Sequence, residues 1–304
     1  MRPSPFLLTC LLLLTALNLS AQSAAEGAST AQRGSQLIDP AAFGFGQPGY
    51  MVDTSFTGTQ DFSNVAGGLD IFEVRTIMPL WSRKFGSTRI GVSLGYDFTQ
   101  ADFNGFAGLG GEDLHTLEAQ IGVFWRPETS RWWGMSFVTP GLGSDFQGVS
   151  WDDFEVSGLG LLGYRFTDTF SLAGGAFARY GAQEGVLFPA LGFIWQPDPF
   201  IVQVTPPFIV LGWRATDRLT LSLSAYPSGG SWDIEDPNVS RVDIGGWQTA
   251  ASVIYKLTNR VTLSLRTGMN VGGELQLRDS QNREIFNETL ESAPFGAFNV
   301  RFSF

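Results

Sequence analysis

The chain has 304 residues, 13% aromatic and only 16% charged, with a formal net charge of −10. So few charges fall well under the ~25% usual for soluble domains, and the acidic balance opposes nucleic-acid binding, which wants clustered Lys and Arg. Cys10 is the single cysteine, so no disulfide forms within the chain.

The N-terminus reads as a secretory signal peptide. Arg2 supplies a positive n-region, Phe6 to Leu17 is largely apolar, and small residues follow at Ser20-Ala21 and Ser23-Ala24-Ala25. The expected signal peptide spans 1–21, with cleavage possible as late as 25. Its apolar run is short of the ~20 residues a membrane-spanning helix needs. Leu11 to Leu14 continue that run past Cys10, which argues against a lipid anchor there. Cys10 would leave with the signal peptide, and thiolate zinc, iron–sulfur and thiol-nucleophile chemistry with it. Residues 22–48 are rich in Ala, Ser, Gly and Gln without periodicity, the composition of a flexible periplasmic arm or a small plug.

From Gly49 onward the chain alternates. In Thr88–Phe98, Ile90, Val92, Leu94, Tyr96 and Phe98 point one way, and Arg89, Gly91, Ser93, Gly95 and Asp97 the other. The runs from Leu117 to Trp125 and from Leu219 to Ala225 repeat the pattern. Period two over such lengths is a strand signal that no helix produces. Strands are expected to begin near residues 50, 69, 88, 113, 131, 154, 169, 187, 200, 208, 219, 241, 261 and 293. That count is fourteen, but Pro206-Pro207 splits two short segments over 197–214. A spanning strand wants ~9–11 residues, so either the wall is low there or the segment is one irregular strand and the count is twelve.

Three short turns share a pattern: Tyr164 to Leu172, Trp213 to Leu221 and Tyr255 to Leu263 each run aromatic, basic, x, Thr, then Asp or Asn. Asp and Asn tolerate left-handed backbone and bond to neighbouring amides, which suits tight hairpins. Longer acidic, glycine-rich loops are expected at 99–113, 145–153, 227–240 and 278–292. Trp81, Trp125, Trp133, Tyr164, Trp195, Trp213 and Tyr255 sit near the short turns, and Tyr96, Trp151, Tyr180, Tyr226 and Trp247 near the long loops. Two interfacial girdles follow from the preference of Trp and Tyr for the headgroup layer.

The chain closes on a half-wet strand. Gly296, Phe298, Val300, Phe302 and Phe304 share one face, and Ala297, Asn299, Arg301 and Ser303 the other. This ending resembles the C-terminal targeting strand of bacterial outer-membrane β-barrels, and the resemblance implies recognition by the barrel assembly machinery. The middle of the chain, in Phe188 to Pro197, Thr205-Pro206-Pro207, Leu211-Gly212-Trp213 and Gly229 to Trp232, resembles an outer-membrane barrel family of unknown function. That likeness covers roughly residues 50 to 304. It implies the fold and lends no catalytic or ligand residue.

Charges in the lumen phase are Glu73, Arg75, Arg89, Asp97, Glu118, Arg165, Arg179, Arg266 and Arg301. Any polar lumen needs such charges paired; arginines facing acids across a pore would also screen solutes. Small residues at Gly91, Ser93, Gly95, Gly134, Ser136, Thr220, Ser222, Ser224, Thr262 and Ser264 are expected to leave water inside, since sixteen strands hold an open channel and eight merely fill.

Other motifs have plainer accounts. Gly158-Leu159-Gly160-Leu161-Leu162-Gly163 matches a dinucleotide fingerprint letter for letter but continues as a strand where that motif needs a helix. His115, the only histidine, shares the lipid phase with Leu117; a rim histidine is the better account, and a barrel-wall lipid hydrolase the alternative. Glu112, Asp113, Asp152, Asp153, Asp233, Glu235 and Asp236 lie in the loops without a calcium-loop pattern.

The sequence thus predicts an all-β transmembrane antiparallel barrel over 49–304, in contact with outer-membrane lipids. No cofactor, metal or catalytic residue is expected. The expected role is a narrow channel or transport-type pore for small solutes, with a structural or surface-interaction barrel as the alternative.

Overall fold

A computed structural model describes residues 49–105, 109–181, 185–205 and 208–303. The expected signal peptide, Cys10, the arm at 22–48, Pro206-Pro207 and Phe304 lie outside the described residues. Fifteen strands form one sheet. They are β1 Gly49–Asp61, β2 Gly68–Phe85, β3 Thr88–Asn104, β4 Gly111–Trp125, β5 Trp132–Ser144, β6 Phe154–Arg165, β7 Phe170–Tyr180 and β8 Val186–Trp195. The second half holds β9 Phe200–Thr205, β10 Phe208–Arg214, β11 Leu219–Asp233, β12 Arg241–Lys256, β13 Val261–Arg278, β14 Glu284–Leu290 and β15 Ala293–Ser303.

Consecutive strands pair antiparallel from β1 to β14, and β15 closes the ring between β1 and β13. Because β14 pairs along its length with β13 alone, it belongs to a hairpin beyond the wall, and fourteen strands make the barrel. The segment over 197–214 is two strands, β9 and β10, joined in register from Phe208↔Thr205 to Trp213↔Phe200. An even count brings Gly49 opposite Ser303, at the rim that carries the short turns. Where neighbouring strands pair, closure satisfies the backbone within the sheet, the condition for a β-structure in lipid.

The shared turn pattern works through its threonine, not its acid. Thr167 Oγ1 accepts from the amides of Thr169 and Phe170, Thr216 Oγ1 from those of Arg218 and Leu219, and Thr258 Oγ1 from those of Arg260 and Val261. Asp168, Asp217 and Asn259 keep ordinary backbone: among the described residues, only Phe146 and Asn282 combine a side chain with positive φ. A side-chain oxygen that captures two amides makes the same tight reversal without left-handed geometry.

The opposite end is taller than expected. β3 runs on to Asn104, β11 to Asp233 and β13 to Arg278, and the expected loop at 278–292 contains β14. The alternation simply continues through these glycine-rich segments, with one face becoming a small apolar core.

Candidate functional site

The inward face of β1–β4 and β11–β13 is polar. From β13, Arg266 Nη2 donates to both carboxylate oxygens of Asp53 at 2.5 and 2.6 Å, and Nη1 to the Tyr226 hydroxyl at 2.9 Å. Arg266 reaches β1 across β15 because the residue between them is Ala297, which pairs with Arg266 on one side and Ser55 on the other. Next to it, Arg75 Nη2 donates to Glu118 Oε1 at 2.6 Å, and its Nε lies 3.4 Å from Asp97 Oδ1, an ion pair rather than a hydrogen bond. Ser55 donates to Glu73 at 2.8 Å and Gln120 to Glu118 at 2.6 Å. Charges removed from water are retained here by partners.

Glu73, Arg75, Asp97, Glu118 and Arg266 therefore form one cluster, together with Asp53 and Tyr226. The sequence reading missed Asp53, although it alternates with Val52, Thr54 and Phe56. Tyr226, expected at a rim, points inward to Arg266. The remaining lumen-phase charges lie apart. Arg179 pairs with Glu155 at 2.5 Å, Arg165 donates to the Ser130 carbonyl by the short turns, and Arg301 Nη2 lies 3.6 Å from Met51 Sδ. Arg89 opens β3 at the same rim as those turns.

The facing wall is apolar. Trp133, Met135, Phe137, Leu159, Leu161, Ala173, Ala190 and Ile194 are buried in one cluster from β5–β8. Trp133 was expected in the interfacial girdle; it is 1% exposed, and its Nε1 donates to Ser171 at 2.7 Å. Trp132, 47% exposed, takes the outer position against the Tyr164 ring. Gly134 and Ser136, expected in the lumen, turn outward with Trp132, because successive side chains alternate. The reason is Gly163, where a Cβ would come 2.0 Å from the indole: its absence leaves the inner surface of β6 open to Trp133. Trp81, Trp125, Trp195, Trp213 and Tyr255 are exposed on the outer face.

A second apolar cluster fills the end away from the short turns. Leu69, Ala101, Leu114, Trp232, Val242, Leu275, Leu277 and Leu290 are buried there with Phe62, Leu109 and Val239. Just below it, Thr57, Gln60, Thr99, Gln248 and Asn270 line a cavity of about 20 Å³, room for a water by the ~10–15 Å³ criterion. On the outer side of these extensions Arg241 meets Asp233 and Asp243, and Arg278 approaches Asp243 at 3.7 Å.

The strand Gly158 to Gly163 is part of β6. His115 Nδ1 lies 2.8 Å from the Tyr96 hydroxyl, and its ring stacks on Phe146 at 5.0 Å. Ser144 lies opposite His115 in register, and its hydroxyl donates to the Gly148 carbonyl. Among the described residues no group of three or more His, Cys, Asp or Glu is placed to hold a metal ion.

A family model described as a domain of unknown function (DUF6268) matches residues 50–304. No curated protein matches the chain. Among solved structures, the COG4313 outer membrane channel from Pseudomonas putida F1 superposes with a TM-score of 0.50 at 9% identity, over 88% of this chain and 100% of that one. The P. putida toluene transporter TodX gives 0.40 at 12% identity, over 88% and 93%. The KdgM porin gives 0.36 at 9% identity, over 84% and 99%. The likeness to the COG4313 channel is one of fold.

Proposed function

The chain belongs to the DUF6268 family, and from that premise we propose that it is an outer-membrane barrel that carries small solutes through its lumen. The observation that carries this reading is the lumen itself. A paired cluster of charges on β1–β4 and β13 faces an apolar wall on β5–β8, a surface able to hold a solute by one polar end and one greasy side. The COG4313 protein, described as an outer membrane channel, shares the fold. Phe298 on the outer face, 48% exposed, and the exposed tryptophans support lipid around the wall. We propose a signal peptide over 1–21, with cleavage as late as 25, and a flexible periplasmic arm or small plug over 22–48. The strand ending at Phe304 is the segment we propose the barrel assembly machinery takes up, and no residue is given a catalytic role.

Expression in a porin-poor host tests the proposal. The barrel should raise permeation of a small β-lactam, read as its hydrolysis in the periplasm; a rate equal to that of the empty host would refute it. The apolar core across the exterior end favours a second reading, a closed barrel acting through its outer surface, and that is the outcome an unchanged rate would support.

A further inference from the structure

The wall is not equally high all round. β8 and β9 pair only through Phe193–Trp195 with Val202–Val204, so among the described residues the upper part of β8 has no strand partner on that side. β10 pairs with β11 from Arg214↔Thr220 only as far as Ile209↔Ala225. β11 climbs on, pairing with β12 up to Asp233↔Arg241. At its tip Asp233 bridges to Ser144 of β5, and Trp232 Nε1 donates to Thr116 of β4. Above Ala225 the ring therefore closes a second time and leaves β6–β10 out. The apolar core fills this upper ring.

β9 has six residues and β10 seven. At ~3.3 Å per residue and ~45° tilt they rise roughly 14–16 Å, against an apolar band of ~25 Å. A notch follows on the exterior side, within the depth of the lipid. Its chemistry is uniform. No charged residue lies in Val186–Trp195, Phe200–Thr205 or Phe208–Trp213. The inward polar groups Gln203 and Thr205 bond to each other at 3.1 Å. Phe188, at the lip, is 60% exposed, and Ala190 beneath it belongs to the apolar lumen wall.

We propose that this notch is a side portal between the lumen and the outer leaflet, and that it passes small uncharged apolar molecules. The inference rests on the transport reading above and adds to the axial path, which polar solutes such as the β-lactam take, a second exit for apolar ones. A solute in the lumen meets a packed core overhead and an apolar surface leading sideways, where lipid waits. Moving along it exchanges one apolar surface for another and strips no charge of water.

Two measurements test it. In nanodiscs, bimane attached to Phe188→Cys, in a Cys10→Ser chain, should be quenched by nitroxide-labelled lipid and little by aqueous iodide; the reverse order overturns the portal. In intact cells, the wild-type barrel should speed uptake of N-phenyl-1-naphthylamine. Phe188→Arg should cut that gain about tenfold, what ~1.4 kcal/mol of added barrier gives, with β-lactam permeation unchanged. If wild type raises β-lactam permeation and not that of the naphthylamine, the portal fails and the transport reading stands. If it raises neither, both fail. Should Phe188→Arg not give a folded, heat-modifiable barrel, the quenching result decides.

Discussion

Replacing Arg266 by Met keeps much of the side chain's volume and removes the charge, stranding Asp53 on the barrel wall. The cost can be bounded from the contacts. Arg266 makes two hydrogen bonds to the Asp53 carboxylate and one to Tyr226. Breaking one side of a fully buried ion pair costs about 3–5 kcal/mol. Here the side chains are 24% and 14% exposed, so lumen water repays part, and about 2–4 kcal/mol is expected. Asp53→Val alone should cost about as much, since it strands the guanidinium. The double variant strands no charge, only the Tyr226 hydroxyl, and should cost no more than either single one, a coupling of at least about 2 kcal/mol. Urea unfolding in lipid vesicles, followed by tryptophan fluorescence, measures all four corners, with heat-modifiable mobility confirming the folded start. Single changes that add within about 0.5 kcal/mol would refute the claim that these residues hold β13 to β1 across β15.

Three other outcomes are expected. Trp133→Ala should lose about 3–5 kcal/mol through the cavity it leaves, and Trp133→Phe about 1 kcal/mol for the bond to Ser171; an interfacial tryptophan would show neither, and the same urea titration separates the two. Leu277→Asp buries an unpaired carboxylate in the exterior core, so planar bilayers should show larger conductance steps than wild type; unchanged steps would mean that this core does not close the mouth. In the β13–β14 connection, hydrogen bonds from the Arg283 side chain, and then its amide, hold Asp279 below its ordinary value near 3.8. A lowered folded value stabilises the turn above that ordinary value, and the gain is lost as pH falls through the lowered one. Carboxyl NMR titration should place Asp279 below the other loop carboxylates and return it to normal in Arg283→Ala.

Much of the barrel was legible because period-two alternation survives over long strands and each rim announces itself. The expected starts at 88, 154, 200, 208, 219, 241, 261 and 293 coincide with those of β3, β6, β9–β13 and β15. β14 escaped notice because Glu284–Leu290 lies in an acidic stretch that reads as loop. Trp132-Trp133 misled for a different reason. Two adjacent aromatics fit either phase, and polarity points the wrong way where the lumen wall is itself apolar. The signal that could have resolved the phase was Gly163, whose missing side chain only matters once β5 and β6 are paired.

Alternation, turn chemistry and composition by themselves determined that this chain is a barrel wall, because they act between residues one or two apart. Which charges meet, that β11 leans across to β5, that the exterior end packs an apolar core and that β9 and β10 stay low depend on register between distant strands. A shift of one residue would turn every side chain to the other face. That register is fixed only when the ring closes, so only the tertiary structure decided it.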